Sequence, residues 1–555
     1  MPSPPFSTRF FPDEKAGHQR GQRTAPYPCP APKKGLTDFG ASLAGRGSTP
    51  ARLSQPSKKD NIMKSTLIFE PFSLSALKRM LPYIRQNPSY CSDLSAGYLY
   101  MWHEGVDMEF CEFRQTFCVR QIVGGQPAFS WPFGADPGGM VDELIRYTSG
   151  HKMPLRFFAV DEKTLPLILA DRRLPDPMYA FDRNWSDYLY SFEEAMTFSG
   201  KKYGGQRNHI HKFERLYGKP QIRPLTPADR PAVIELLDAF AQEHPDAGAL
   251  EQLERVETEA LFDACEELGL YAAGLFVNDR LATLSIGEVI RDTLFIHVEK
   301  ALTVYEGIYP TLYSSFVRLT AQLHGSVLTY VNREDDSGDI GLRTSKMQYH
   351  PVFMADKYLV HVDSPGARIQ GPVCIPGRDV VLTEIRESDK AAYLSLNTDV
   401  ENNRYWGYDY RNDLSLPQKI TEQTFYDSVK YDMQAGDSVN FAIRLSEDGP
   451  MIGETILWNF SSDGSAELGC RILRPYQGRG YGKDAFGTAA RYGADELGLS
   501  VYARCHRDNL PSRRMIEASG FSPLCRNEAY LYFRYQTTPE SKDTPCGAIR
   551  CKANS

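Results

Sequence analysis

Apolar and polar positions alternate along this chain in short strand-like runs, and one succession of runs occurs twice. Residues 440–445 read as a strand, 446–449 as a turn, and 451–460 as a second strand containing Gly453-Glu454. Asp463-Gly464 forms the next turn and 466–473 the next strand. Upstream, 270–277 is followed by the turn Asn278-Asp279, then 281–290 containing Gly287-Glu288, the turn Arg291-Asp292, and 293–301. Each succession continues into a stretch of helical period, 307–324 or 480–497. Each then has a strand ending in a charged tripeptide: 327–332 before Arg333-Glu334-Asp335, or 500–506 before Arg507-Asp508-Asn509. Each closes on an aromatic-X-Pro, Tyr349-His350-Pro351 or Phe521-Ser522-Pro523. This shared order predicts one fold used twice, of α+β class with a mixed sheet.

Two Pro/Gly breaks divide the pattern. One runs from Lys219-Pro220 to Arg223-Pro224, the other from Asp363-Ser364-Pro365-Gly366 to Pro376-Gly377. The expected blocks are 63–218, 219–362 and 376–537, with 363–375 as a linker. Residues 1–62 hold ten Pro, ten Lys or Arg and four Asp or Glu without periodicity, and are expected to be a disordered tail. Met63 is a candidate true start, which would make that tail a mis-called extension. Residues 538–555 are expected to be a second disordered tail.

Charge narrows the function. Residues 63–555 carry 53 basic against 66 acidic side chains, a balance unsuited to general nucleic-acid binding. No apolar run reaches the roughly 18 residues that a membrane span requires. Eleven cysteines without a CxxC pair suggest reduced thiols and a cytoplasmic protein, and no metal site is expected.

The most specific signal is Gln477-Gly478-Arg479-Gly480-Tyr481-Gly482-Lys483, which follows a strand and opens a helix. Glycines admit close backbone approach, and free N–H groups with the helix dipole favour an anion. Arg479 and Lys483 beside the glycines are candidate phosphate contacts. Taken with residues 381–389, 466–473, Asp508-Asn509-Leu510-Pro511-Ser512 and Ala518-Ser519-Gly520-Phe521, the third block resembles the RimJ/RimL-like branch of the GNAT acetyltransferase superfamily. The resemblance implies transfer of an acetyl group from acetyl-CoA, bound between two splayed strands, to a small-molecule or peptide amine. It implies pantetheine contacts from Ile472 and Leu473, pyrophosphate contacts from the N–H groups of Gln477 to Lys483, and Asn509 and Ser512 at the thiol end. Glu467, on the splayed strand, is the candidate base; Ser512 is a candidate acid or, alternatively, a helix N-cap. Residues 402–410 lie where this branch shapes its acceptor pocket.

The front 300 residues resemble a second family, the soluble catalytic part of phosphatidylglycerol lysyltransferase, a tandem GNAT-like fold. The resemblance rests on Ser199-Gly200-Lys201-Lys202-Tyr203, residues 207–213, Phe295-Ile296-His297-Val298-Glu299-Lys300-Ala301, residues 331–338, Gly341-Leu342-Arg343, Lys346 and Tyr349-His350-Pro351. Together the two resemblances imply three GNAT-like folds in one chain and a bifunctional acyltransferase. For the front module they imply an aminoacyl-tRNA-dependent transferase or, alternatively, a non-catalytic substrate-binding module. Its position equivalent to the glycine loop reads Tyr305-Glu306-Gly307-Ile308-Tyr309-Pro310, a poor phosphate site. Lys201, Lys202 and Arg207 form a basic segment suited to a polyanion or to a solvated helix face. His297, Glu299, Asn332, Arg333, Asp336, Arg343 and Lys346 form a second cluster, which either positions an amine and an ester carbonyl or serves as a structural ion-pair network.

Overall fold

The computed structural model of the chain describes residues 65–243, 249–324, 328–369, 372–406, 409–412 and 420–536. The two expected tails lie outside the described residues. Three eight-stranded sheets are arranged along the chain. In each, among the described residues, one parallel pairing interrupts an antiparallel ladder. Phe129 and Ser130 pair with Phe157 and Phe158; Thr293 to Phe295 pair with Tyr330 to Asn332; Ser465 to Glu467 pair with Ser500 to Tyr502. Parallel neighbours need a crossover, and helices Pro137–His151, Ile308–His324 and Tyr481–Asp495 supply it. Each parallel contact lasts only two or three residues before the strands part, leaving three wedges.

The turns read from sequence form as the local chemistry requires. Asn278 and Asp279 both take left-handed φ values (50° and 62°), as does Gly464 (77°), and Gly449 N–H closes on Ser446 O at 2.9 Å. The repeated helices occupy Ile308–His324 and Tyr481–Asp495.

The first two sheets interlock rather than separating at residue 218. Strand Asp187–Ser191 lies in the second sheet, between Tyr330–Asn332 and Phe353–Ala355. Strand Lys357–His361 returns to the first, between Arg156–Asp161 and Met178–Phe181. Each exchanged strand is buried on both faces, so it must sit inside a sheet and not at an edge. The expected linker also contributes structure, since Cys374–Pro376 pairs with Val381–Thr383 at the edge of the third sheet.

Candidate functional sites

In the third sheet, strands Ser465–Ile472 and Ser500–His506 part after the pair Glu467–Tyr502. The first strand continues through Arg474–Tyr476 into the glycine loop. Gly478 and Gly480 have φ of 75° and 85°, and Gly480 caps helix Tyr481–Asp495. A Cβ at either would meet nothing within 4 Å, so backbone conformation demands glycine here, not crowding. Residues 477–480 are exposed. Arg479 and Lys483 make no ion pair among the described residues, whereas Arg474 is held by Asp399. Open backbone, a helix N-terminus and two uncommitted cations fit a phosphate-bearing ligand.

Two of the backbone donors expected here are already committed. Leu473 N–H donates to Ile452 O at 2.9 Å, and Gln477 N–H to Arg474 O at 3.2 Å. The ladder takes the first and the turn Arg474–Tyr476 takes the second, which leaves the donors from Gly478 to Lys483. The Gln477 side chain instead donates to Ile472 O at 2.9 Å and Asn402 Oδ1 at 2.8 Å. Asn402 donates to the same carbonyl at 3.1 Å, so this side chain ties the loop to residues 399–406.

Glu467 is buried, 6% exposed, and accepts from Arg504 Nε at 2.9 Å. Burial pushes its carboxyl up, while Arg504, Asn459 and Tyr502 act against that rise. The helix cap is Asn509, not Ser512. Asn509 Oδ1 accepts from Ser512 N–H at 3.2 Å and begins helix Leu510–Ala518. The Ser512 hydroxyl has no hydrogen-bond partner among the described residues.

Above the wedge, Arg471 is buried in an ion pair with Glu454, its partner across the ladder. Asn403 Oδ1 accepts from it at 3.0 Å, its guanidinium lies 4.6 Å from the centre of the Trp406 ring, and Tyr393 OH donates to Glu454 at 2.5 Å. Gly469 admits the Trp406 ring, which a Cβ there would meet at 2.6 Å. Gly407 and Tyr408 of the expected acceptor stretch lie outside the described residues.

The front cluster divides into three parts. Arg333 and Glu299 bridge the second wedge, Nε to Oε2 at 2.8 Å, and the guanidinium lies 4.4 and 4.7 Å from the ring centres of Tyr313 and Tyr349. Glu299 Oε1, Arg333 Nη1 and Tyr313 OH are buried without hydrogen-bond partners among the described residues. His297 is clamped instead, Nδ1 to Glu334 at 2.8 Å and Nε2 to Glu288 at 3.0 Å. Burial alone would push the imidazole down, but the two carboxylates outweigh it and raise it to about 9. At neutral pH it is a cation in a buried triad, not a free base. Asp336 is gripped by Arg343 at 2.8 and 2.9 Å, by Arg183 at 2.7 Å and by Tyr188 at 2.5 Å.

Asn332 and Lys346 serve the scaffold. Asn332 donates to Tyr90 O at 2.7 Å and Asp187 at 2.9 Å, and Lys346 to Arg333 O at 2.6 Å. Of the basic segment, Lys202 pairs with Glu194 of the preceding helix at 2.8 Å, and Arg207 donates to Gly200 O at 2.6 Å. Lys201 stays exposed. The sequence reading missed the tyrosines around Arg333 and the buried Lys357, which lies 2.6 Å from Asp93 and 2.7 Å from Asp187. Lys357 was detectable as a lone cation in the apolar run 357–361.

Residues 85–361 match the family model described as phosphatidylglycerol lysyltransferase, C-terminal, and residues 379–522 match the acetyltransferase (GNAT) domain. The chain matches the two models one after the other. A crystal structure of a conserved protein of unknown function from Bacteroides thetaiotaomicron VPI-5482 is 25% identical, with a TM-score of 0.50 over 54% of this chain and 100% of that one. L-PGS from Bacillus licheniformis is 14% identical, with a TM-score of 0.39 over 53% of this chain and 93% of that one. Spermidine N-acetyltransferase from Vibrio cholerae, in complex with CoA and spermine, is 16% identical, with a TM-score of 0.24 over 28% of this chain and 95% of that one. An uncharacterized protein of Mycoplasmoides gallisepticum is 26% identical over 178 residues, and the match spans 32% of this chain and 56% of that relative's length. Among the described residues, no helix of this fusion is long and apolar enough to cross a membrane, and no group of three His, Cys, Asp or Glu is placed to hold a metal ion.

Proposed function

We propose that the GNAT domain transfers an acetyl group from acetyl-CoA to an amine, within a bifunctional acyltransferase whose front module is related to the lysyltransferase catalytic domain. The observation that carries this reading is the exposed loop Gly478–Lys483, with two left-handed glycines and two unpaired cations at the end of a parting strand pair. The donor brings the activated thioester, and the chain supplies binding and proton handling. Gly478 to Lys483 hold the phosphates. Glu467, raised by burial, takes the proton of the attacking amine directly or through water. Ser512 stands at the leaving-thiol end. Calorimetric titration of acetyl-CoA into the full chain tests this, with Gly480→Asp as control. Saturable binding lost in the control is expected; no binding to folded wild-type protein would overturn the reading.

A second reading applies to the front module. Glu299 Oε1, Arg333 Nη1 and Tyr313 OH present one acceptor, one cationic donor and one hydroxyl, all buried and unmatched. Such a trio suits an amino group beside an ester carbonyl, which favours aminoacyl transfer over a passive binding module. RNA retained on the purified protein, seen as a raised ratio of nucleic-acid to protein absorbance and lost on ribonuclease treatment, is expected. Nucleic-acid-free protein that gains no RNA when mixed with aminoacylated tRNA would overturn it.

A further inference from the structure

We propose that the front module has a role apart from its own chemistry: it is a positioning element of the acetyltransferase domain, gripping helix Glu422–Ala435 through a buried latch at Asp437. The inference rests on the acyl-CoA reading of the glycine loop.

The helix is apolar on two sides. Phe425, Tyr426 and Val429 pack with Ile385, Tyr393 and Leu396 of their own domain. Ala435, fully buried, belongs instead to the front module's core with Ala180 and Leu359, and Tyr431 packs against that core. A helix with two apolar faces sits between two bodies, and each body fixes it.

The latch closes the C-terminal end of the helix. Gly436 takes φ of 78°, and its carbonyl accepts from Ser364 Oγ at 3.0 Å. The approach is so close that a Cβ at Gly436 would collide with Ser364. Asp437 follows. Arg156 of the first sheet, with no exposed side-chain surface, donates to Asp437 Oδ2 at 2.5 Å and to Val123 O at 2.9 Å. His361 Nδ1 lies 3.3 Å from Asp437 Oδ1. A buried arginine aimed across a domain boundary is costly unless its partner is fixed, so the pair holds the helix end in one place.

The other end of the assembly reaches the acyl-donor site. Helix Glu422–Ala435 packs on helix Lys390–Thr398. The segment after Lys390–Thr398 is bonded to the glycine-loop strand through Asp399–Arg474, Asn402–Ile472 O and Asn402–Gln477. The helix pair therefore spans from the front module to the lip of the wedge, and the front module sets where that wall stands.

Hydrogen–deuterium exchange on the full chain tests this, with Arg156→Met as the variant. That substitution changes no atom of the acetyltransferase domain. Amide exchange in residues 422–435 is expected to rise at least tenfold, and calorimetric affinity for acetyl-CoA to fall more than threefold as the wall bonded to Ile472 and Gln477 loosens. Wild-type exchange in 422–435, with faster exchange confined to the first sheet, would overturn the proposal. Should Arg156→Met not fold, Asp437→Asn keeps the shape and removes the charge, with the same result expected. Absence of acetyl-CoA binding in wild type, with the exchange difference intact, would sink the cofactor reading and leave the latch as a contact between the two modules; the two failures are told apart because exchange is read without ligand.

Discussion

Raising the pH from 6.5 to 9.5 should weaken the front module through His297. Its imidazole is raised from 6.5 to about 9: burial lowers it, and the hydrogen bonds to Glu288 and Glu334 more than compensate. A folded-state value above the unfolded one means that folding binds the proton. The stabilisation is whole below pH 6.5 and is lost as the pH climbs through 9. At ~1.4 kcal/mol per unit, this shift corresponds to roughly 3 kcal/mol. Asp335, raised to about 8 chiefly by burial, acts with the same sign over part of the same window. A three-sheet chain need not unfold in one step, so a global melt is a poor probe. Exchange of the amides in strand Thr293–Ala301, corrected for intrinsic rates, reads the local opening free energy. Nitrogen-15 histidine spectra, assigned with His297→Gln, read the titration itself. That variant leaves two carboxylates facing each other in the interior, at a cost of about 3–5 kcal/mol, and should lose the histidine part of the pH dependence. An imidazole titrating at or below 6.5, or equal strand protection at both pH values, would refute the argument.

Gly97→Ala should destabilise the same region by about 1–3 kcal/mol in chemical denaturation, because a Cβ there lands 2.1 Å from His297 Cδ2. Arg471→Met strands the buried Glu454 carboxylate and should cost about 3–5 kcal/mol, with Arg471→Met/Glu454→Gln recovering part of it; equal losses in the two would refute the pair's role. Arg479→Ala and Lys483→Ala together should weaken acetyl-CoA binding about tenfold at low salt and flatten its salt dependence, as measured by calorimetry at two ionic strengths.

The glycine loop was legible because its chemistry is local. A strand end, left-handed glycines and a helix start occupy consecutive positions, and Gly478 and Gly480 take the conformations their spacing demands. The fold was legible from the order of features. Sheet membership was not. The alternation in residues 187–191 marks a strand but carries no record of which sheet receives it, and long-range pairing placed it in the second. Nor could the tyrosines around Arg333 be collected, since Tyr190 comes from a strand, Tyr313 from a helix and Tyr349 from a turn, far apart in sequence.

His297 shows how one irregular residue changes a site's meaning. Gly287-Glu288 and Gly453-Glu454 recur at matching places, which suggests matching roles. In the third sheet the ladder is regular, and Glu454 faces Arg471 directly across it. In the second, the register shifts between Ile286 and Gly287, so Glu288 falls opposite Phe295 and shares a face with His297. Without that shift, strict alternation would place Glu288 opposite Ile296 and leave His297 on the other face. The shift comes at a glycine, where a Cβ would stand 2.5 Å from Phe295 O. Both repeats thus bury a glutamate against a cation on the neighbouring strand, Arg471 in one and His297 in the other. Of the two roles left open for His297 from sequence, this geometry favours the ion-pair network: the repeat carries a buried glutamate–cation pair in both places.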